Sequence, residues 1–346
     1  MNNKIIPISN NCLITNYFNL NPKNIQYLND LTSNSYSEYP FDNSFIIFKS
    51  INDILLIIFA SQNKSIILFN LVNNKIINEI KNAHEYYVTN FRYHCDNVNK
   101  RDLIISVSGE DNNLKLWDIT NFNCLLNIQK VYKNGYLYSA CFLCENNNNY
   151  IITSKGLGDP DSIKIFDFKG NKKGELSNSS GDNIIFIDTY YDNKLSTNFI
   201  ITGNIGFVKS YIFKEDKVYY KYNDGGNAFH RNINLYENNS KLSLLEICCD
   251  GNIRIWNFHS GELLKRIKVY DQPLFSICLW NEQYIFVGCE DGAILLIDLN
   301  KGCNIMTLIG HEDSVLTIRK LIHPIYGECL ISKGVGNEQI KLWGIK

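Results

Sequence analysis

The sequence predicts an all-β protein: seven repeats of a four-stranded antiparallel sheet, arranged radially and closed into a ring. Three observations carry this. A large apolar residue recurs as a ruler at Phe69, Trp117, Phe166, Tyr211, Trp256, Ile297 and Trp343, at intervals of 48, 49, 45, 45, 41 and 46 residues. Three of the four tryptophans fall on that ruler and only Trp280 does not. Each interval has the same interior of short β-branched and aromatic runs bounded by turn residues, with no convincing helical period.

The elements follow in order within each repeat. A first strand is expected at SFIIFKS from 44, VTNFRYH from 88, LYSACFL from 137, IIFIDTY from 184, NINLYEN from 232, LFSICLW from 274 and VLTIRKL from 315. A second follows at DILLIIFAS from 53, DLIISVS from 102, YIITSKG from 150, NFIITGN from 198, LSLLEIC from 242, QYIFVGC from 283 and ECLISKG from 328. A turn, often Asp-Gly or Asp-Asn, leads into the third strand, which ends on the ruler residue. A fourth strand comes after it, as in KIINEI from 75, CLLNIQ from 124, KVYYKY from 217, LLKRIKV from 263 and NIMTLIG from 304. Several strands are apolar at successive positions, so both faces of the sheet are expected to be covered. The last repeat ends at Lys346 with three strands. KNIQYL, 23–28, is expected to supply the fourth, with KIIPI, 4–8, as the alternative.

Composition narrows the function classes. The 346 residues carry 34 basic and 35 acidic side chains, a net charge of -1, which disfavours dedicated binding to nucleic acid or an anionic membrane. The 49 asparagines are dispersed and suit a turn-rich fold. The 11 cysteines sit in apolar runs, and MNNKIIPISNN has no apolar signal core. Reduced thiols and a cytoplasmic or nuclear location in a eukaryotic-type cell are therefore expected, with no membrane insertion: the run ILLIIFA, 54–60, is too short to span a bilayer.

The motifs resemble those of the WD-repeat β-propeller family over residues 23–346, with 1–22 as an extension or closing segment. Trp117-Asp118 is the full dipeptide. Phe166-Asp167, Ile297-Asp298, Trp256-Asn257, Phe69-Asn70 and Trp343-Gly344 are partial, and Tyr211-Ile212 has lost it. Gly310-His311 matches the family's Gly-His and Ala83-His84 nearly does; His311 precedes Trp343 by 32 residues and His84 precedes Trp117 by 33. The family's turn aspartate, six residues before the ruler, is met by Asp111, Asp250 and Asp291. The resemblance implies a single seven-bladed β-propeller whose N-terminal strand closes the ring. It also implies a buried His–Ser/Thr–Asp–Trp network. Blade two offers His84, Ser106 or Ser108, Asp111 and Trp117 for it; blade seven offers His311, Ser332, Asn337 and Trp343. The remaining blades are expected to rely on apolar packing.

The chemical motifs read as structure. SKGLGDPDSIKIF, 154–166, leads into a strand, whereas a phosphate loop must lead into a helix N-terminus; a turn is expected. Cys141 and Cys144 have zinc-like spacing but lie on a strand, where i and i+3 face opposite sides, and no second pair accompanies them. No catalytic residue, metal site or cofactor is expected. The family's phosphoinositide motif and its Trp-Asp-x-Arg signature of ubiquitin-ligase substrate receptors are not met.

What remains is recognition. In this family the loops before each first strand line the narrower face. Here they and the neighbouring turns offer Glu85, Tyr86, Glu110, Tyr136, Arg231, Glu290, Glu312 and Lys333, residue types with a place in interaction surfaces held on rigid scaffolds. The expected role is a non-catalytic protein–protein interaction scaffold within a multiprotein complex, binding proteins or peptides and monomeric by itself. The alternatives are a reader of methylated or phosphorylated peptides at the channel mouth and a ubiquitin-ligase substrate receptor.

Overall fold

The computed structural model describes residues 26–30, 45–61, 63–133, 135–156, 163–238, 241–335 and 340–344. It forms seven four-stranded antiparallel sheets, the blades of a β-propeller. Strand β1 is Gln26–Asp30. Blade one holds β2 (Phe45–Lys49), β3 (Leu55–Ala60), β4 (Ile66–Asn70) and β5 (Lys75–Ile80). Blade two holds β6 (Asn90–Asp96), β7 (Arg101–Ser108), β8 (Asn113–Asp118) and β9 (Asn123–Ile128). Blade three runs through β10 (Leu137–Glu145), β11 (Asn148–Lys155), β12 (Ile163–Asp167) and β13 (Lys172–Leu176). Blade four comprises β14 (Ile184–Asp192), β15 (Thr197–Asn204), β16 (Val208–Ile212) and β17 (Lys217–Tyr222). In blade five come β18 (His230–Asn238), β19 (Lys241–Cys248), β20 (Asn252–Asn257) and β21 (Leu263–Lys268). Blade six has β22 (Leu274–Leu279), β23 (Tyr284–Cys289), β24 (Ile294–Asp298) and β25 (Cys303–Leu308). Blade seven has β26 (Val315–His323), β27 (Gly327–Gly334) and β28 (Lys341–Gly344).

Ring closure is made by β1, which pairs antiparallel with β28, Gln26 opposite Gly344 and Asp30 opposite Lys341. The closing strand overlaps the 23–28 segment read from the sequence, of which 23–25 lie outside the described residues. The alternative at 4–8 and the extension 1–22 lie outside the described residues.

The apolar runs are explained by where each strand sits. Second and third strands are covered on both faces: β3 and β24 are buried at every position. Outer strands are not: β5 and β9 hold only exposed and half-buried residues. The core is divided into seven clusters, one per junction between neighbouring blades. One, for example, joins Phe48 and Ile58 of blade one to Phe91, Ile104 and Trp117 of blade two. Another joins Phe45 and Ile57 of blade one to Ile331 and Leu342 of blade seven and so seals the ring. Trp280, off the ruler, packs edge-on against Phe286 in the junction of blades six and seven.

Turn chemistry explains the dipeptides. Asp111, Asp250 and Asp291 each accept a bond through Oδ1 from the backbone N–H two residues on, at 3.0, 3.0 and 3.2 Å. The residue between adopts positive φ: Asn112 at 57°, Gly251 at 72° and Gly292 at 83°. That is why Asp-Asn or Asp-Gly recurs there. The residue after the ruler does the same for the next turn: Asp118, Asp167, Asn257 and Asp298 accept from the N–H two residues on at 2.9–3.0 Å. Asparagine serves as well as aspartate because only the side-chain oxygen is used. In blade four Ile212 cannot do this, and Lys214 and Asp216 carry the positive φ of that turn.

Residues 154–166 join β11 to its antiparallel neighbour β12, with Thr153 opposite Lys164. This stretch leads into a strand at Ile163; 157–162 lie outside the described residues.

Candidate functional site

Two blades build the same buried relay. In blade two the Trp117 indole donates to Ser106 Oγ at 2.8 Å, and Ser106 Oγ lies 2.8 Å from His84 Nε2. An indole nitrogen can only donate, so Ser106 Oγ accepts from Trp117 while it meets His84 Nε2, and His84 Nδ1 faces Asp111 Oδ2 at 3.5 Å. Burial lowers the His84 pKa, outweighing the opposing pull of Asp111, and keeps the ring neutral. Burial would raise Asp111, but contact with His84 and Ser108 outweighs it and holds the carboxyl below its usual range. Blade seven repeats the geometry: Trp343 donates to Ser332 at 2.7 Å and His311 Nε2 lies 2.7 Å from the same oxygen. Asn337 lies outside the described residues.

Of the two serines offered by blade two, Ser106 makes the bridge to Trp117 and His84, while Ser108 lies against Asp111. Register decides this. Ser106 pairs with Lys115 and Ser332 with Lys341, each two residues before the tryptophan.

At the same register position blade five carries Glu246, paired with Arg254. A buried ion cluster replaces the relay. Arg254 Nε meets Asp224 at 2.5 Å, its Nη2 meets Asp250 at 2.6 Å, and His230 Nδ1 stands 3.1 Å from Glu246 Oε2. Burial would raise Asp250, but Arg254 outweighs it and holds the carboxyl down at about 2. The Trp256 indole N–H, which has no serine to reach, is left without a partner. Blade three uses Tyr132, whose hydroxyl lies 3.0 Å from both the Thr153 carbonyl and hydroxyl oxygens. In blade four Tyr211 donates to Asp182 at 2.9 Å. These three blades add polar contacts to the apolar packing on which blades without the histidine are expected to rely more.

Connections between blades share one face with the turns between second and third strands, and hydrogen bonds tie the two together. Glu85 N–H donates to Asp111 Oδ2 at 3.1 Å, Val131 N–H to the Asn112 carbonyl at 3.0 Å, and Ser314 Oγ to the Glu290 carbonyl at 3.0 Å. On this face Glu85, Glu110, Glu290 and Glu312 are exposed. Tyr86 is 44% exposed, with the Lys64 ammonium 5.3 Å from its ring centre. Tyr136 is 49% exposed and stacks on Tyr138 at 6.4 Å. Arg231 is half-buried, its guanidinium 5.2 Å from the Phe229 ring and 4.9 Å from the Phe275 ring, while its Nε donates to Cys249 Sγ at 3.2 Å.

Lys333 departs from expectation. It is fully buried, its ammonium donating to the Gly334 carbonyl at 3.3 Å. Ser-Lys-Gly reads as the opening of a turn, but β27 continues through Gly334 and draws the lysine inside. Lys155 of the matching stretch is likewise buried at the end of β11.

Two cross-blade contacts had no signal in the sequence. Arg92 reaches from blade two to the Ile187 carbonyl of blade four at 3.1 Å. His259 of blade five lies between Asp192, at 3.2 Å, and the Tyr219 hydroxyl, at 3.2 Å, both of blade four. Cys141 and Cys144 point apart: Cys141 packs in the junction of blades three and four, while Cys144 Sγ lies 3.9 Å from the His94 ring nitrogens.

No protein-family model matches the sequence. The architecture defines a class, a seven-bladed β-propeller, with exposed glutamates and tyrosines on one loop face. Among the described residues no helix is long and apolar enough to cross a membrane.

Proposed function

We propose that this chain is a divergent WD-repeat propeller acting as a non-catalytic interaction scaffold in the cytosol or nucleus, and that it engages protein or peptide partners through the loop face of blades one to three and five to seven. The observation that carries the reading is the exposure of Glu85, Tyr86, Glu110, Tyr136, Glu290 and Glu312 on a single face whose turns are pinned by hydrogen bonds. A pinned surface loses little conformational freedom on binding, and aromatic side chains beside charge are what interface hot spots favour. Four exposed glutamates suit a partner segment with basic side chains. A second reading, capture of a modified peptide at the channel mouth, is favoured by Arg231 lying between Phe229 and Phe275. The test is affinity capture from the native cell lysate, with the wild-type chain beside a variant carrying Tyr86→Ala, Glu110→Ala, Arg231→Ala and Glu312→Ala. Loss of a defined set of partners from the variant supports the reading. Identical sets would move the search to the side wall or the opposite face.

A further inference from the structure

We propose that residues 1–22 of this chain dock across the face opposite the loop face, over an apolar strip on blades seven, one and two. The turns between first and second strands, and between third and fourth strands, share that face. Blade seven places Ile325 and Tyr326 there, blade one Ile54 and Val72, and blade two Val98. All five are exposed, Val98 at 90% and Ile325 at 68%. Among the described residues, the corresponding turns of blades three, five and six expose no large apolar side chain.

Hydrogen bonds link the strip from blade to blade. His323 Nδ1 accepts from the Ile325 and Tyr326 N–H groups at 3.2 and 3.4 Å, and its ring centre lies 4.9 Å from that of Tyr326. His323 also bonds to the backbone of Leu71, the residue before Val72. Leu71 N–H donates to the carbonyl of Leu55, the residue after Ile54, at 3.1 Å. Ile51 N–H, in the turn that holds Ile54, donates to Asp102 Oδ1 of blade two at 3.0 Å. Asp102 follows Arg101, whose pairing with Asp96 closes the turn of Val98. A continuous exposed apolar patch marks an interaction site. The ion pairs beside it, Lys49 with Asp53 and Arg101 with Asp96, leave the strip itself apolar, so apolar side chains are what it takes.

The chain supplies that occupant. Gln26 pairs with Gly344 at the end of blade seven that carries the 324–326 turn, which the His323–Gly327 pair closes. The 25 residues before Gln26 are thus tethered beside the strip, whereas the chain after Asp30 leaves from the other end. Residues 1–22 hold no acid and carry Ile5, Ile6, Ile14 and Phe18. Neighbouring sheets pack about 10 Å apart, so three blades span about 30 Å, and the segment fully extended reaches about 70 Å. Tethering holds it at an effective concentration that a separate molecule does not match.

The experiment is photo-cross-linking of the full chain with p-benzoylphenylalanine placed at Val98, at Ile325 or, as a control, at Leu195, an exposed position on the same face in blade four. Mixing isotope-labelled with unlabelled chain identifies the source of each cross-linked peptide. Cross-links from positions 98 and 325 to residues 1–22 of the same chain are expected, at a yield unchanged by dilution. The yield should fall about tenfold or more in the double variant Ile14→Asp, Phe18→Asp. An unchanged thermal midpoint checks that each ring is intact. Cross-links between labelled and unlabelled chains would assign the strip to a second copy and overturn the proposal. So would no cross-link to residues 1–22, an equal yield from position 195, or an unchanged yield in the double variant.

Discussion

Removing one hydroxyl, Ser106→Ala, gives the sharpest test of how the blades are held. The oxygen accepts from the Trp117 indole and contacts His84 Nε2, each at 2.8 Å, in a site with no water access. Alanine fits the space, so the strand keeps its path, but an indole N–H and an imidazole nitrogen lose their partner together. A buried polar group left unpaired costs about 1–3 kcal/mol, so the pair is expected to cost about 2–4 kcal/mol in all. Urea unfolding followed by tryptophan fluorescence reads this as a lower midpoint at unchanged slope. The comparison of Trp117→Phe with Trp256→Phe isolates the hydrogen bond, because both lose similar ring area while the Trp256 N–H has no partner to lose. Trp117→Phe should be the more damaging by about 1 kcal/mol. A Ser106→Ala change below about 0.5 kcal/mol, or equal effects of the two tryptophan variants, would refute the relay as a source of stability.

Three further outcomes follow from the geometry. Gly251→Ala should lower stability by at least about 1–3 kcal/mol, since φ is 72° and an added Cβ would lie 2.0 Å from the Tyr270 carbonyl oxygen; an unchanged urea midpoint would contradict this. Stability should fall with acid in two windows. Burial lowers the folded pKa of His84, His94 and His323, so below the ordinary value of 6.5 the unfolded chain takes up protons that the native ring refuses, and that contribution, complete above 6.5, is lost as pH drops. Asp111 and Asp224 are held below 3.8 and Asp250 at about 2, so a second loss begins as pH falls past 3.8; a stability profile flat from pH 7 to 3 would refute both. Thiol labelling at mildly alkaline pH should reach the exposed Cys124 and Cys303 in the native protein, whereas Cys141, Cys248, Cys278, Cys289 and Cys329 are buried, with burial pushing Cys248 and Cys329 up to about 12, and should react only on unfolding. Rapid native labelling of Cys329 would show that the junction between blades one and seven opens.

Blade number, strand order and the ruler were legible because burial on both faces forces apolar residues at fixed positions, and turn geometry forces Asp, Asn or Gly between them. The relay was legible up to one ambiguity, Ser106 against Ser108, because residues two apart on a strand share a face and only register separates them. Lys333 was misplaced for a related reason: a short polar-glycine stretch marks a strand end only to within a residue or two. The ion cluster of blade five was hidden by chemistry. Glu246 keeps the position of Ser106 but faces Arg254 and His230, and nothing local in the sequence announces those partners. Arg92 and Ile187 lie 95 residues apart, so their contact exists only once the ring has closed.

The central claim is that this propeller works through its loop face. Hydrogen exchange read by mass spectrometry, on the chain alone and with a captured partner, tests it most directly. The account predicts slowed exchange in the segments 81–88, 109–112, 290–293 and 309–314. The outer strands β5, β9 and β21 should be unchanged. Protection confined to those outer strands, with the loop segments unaltered, would contradict it.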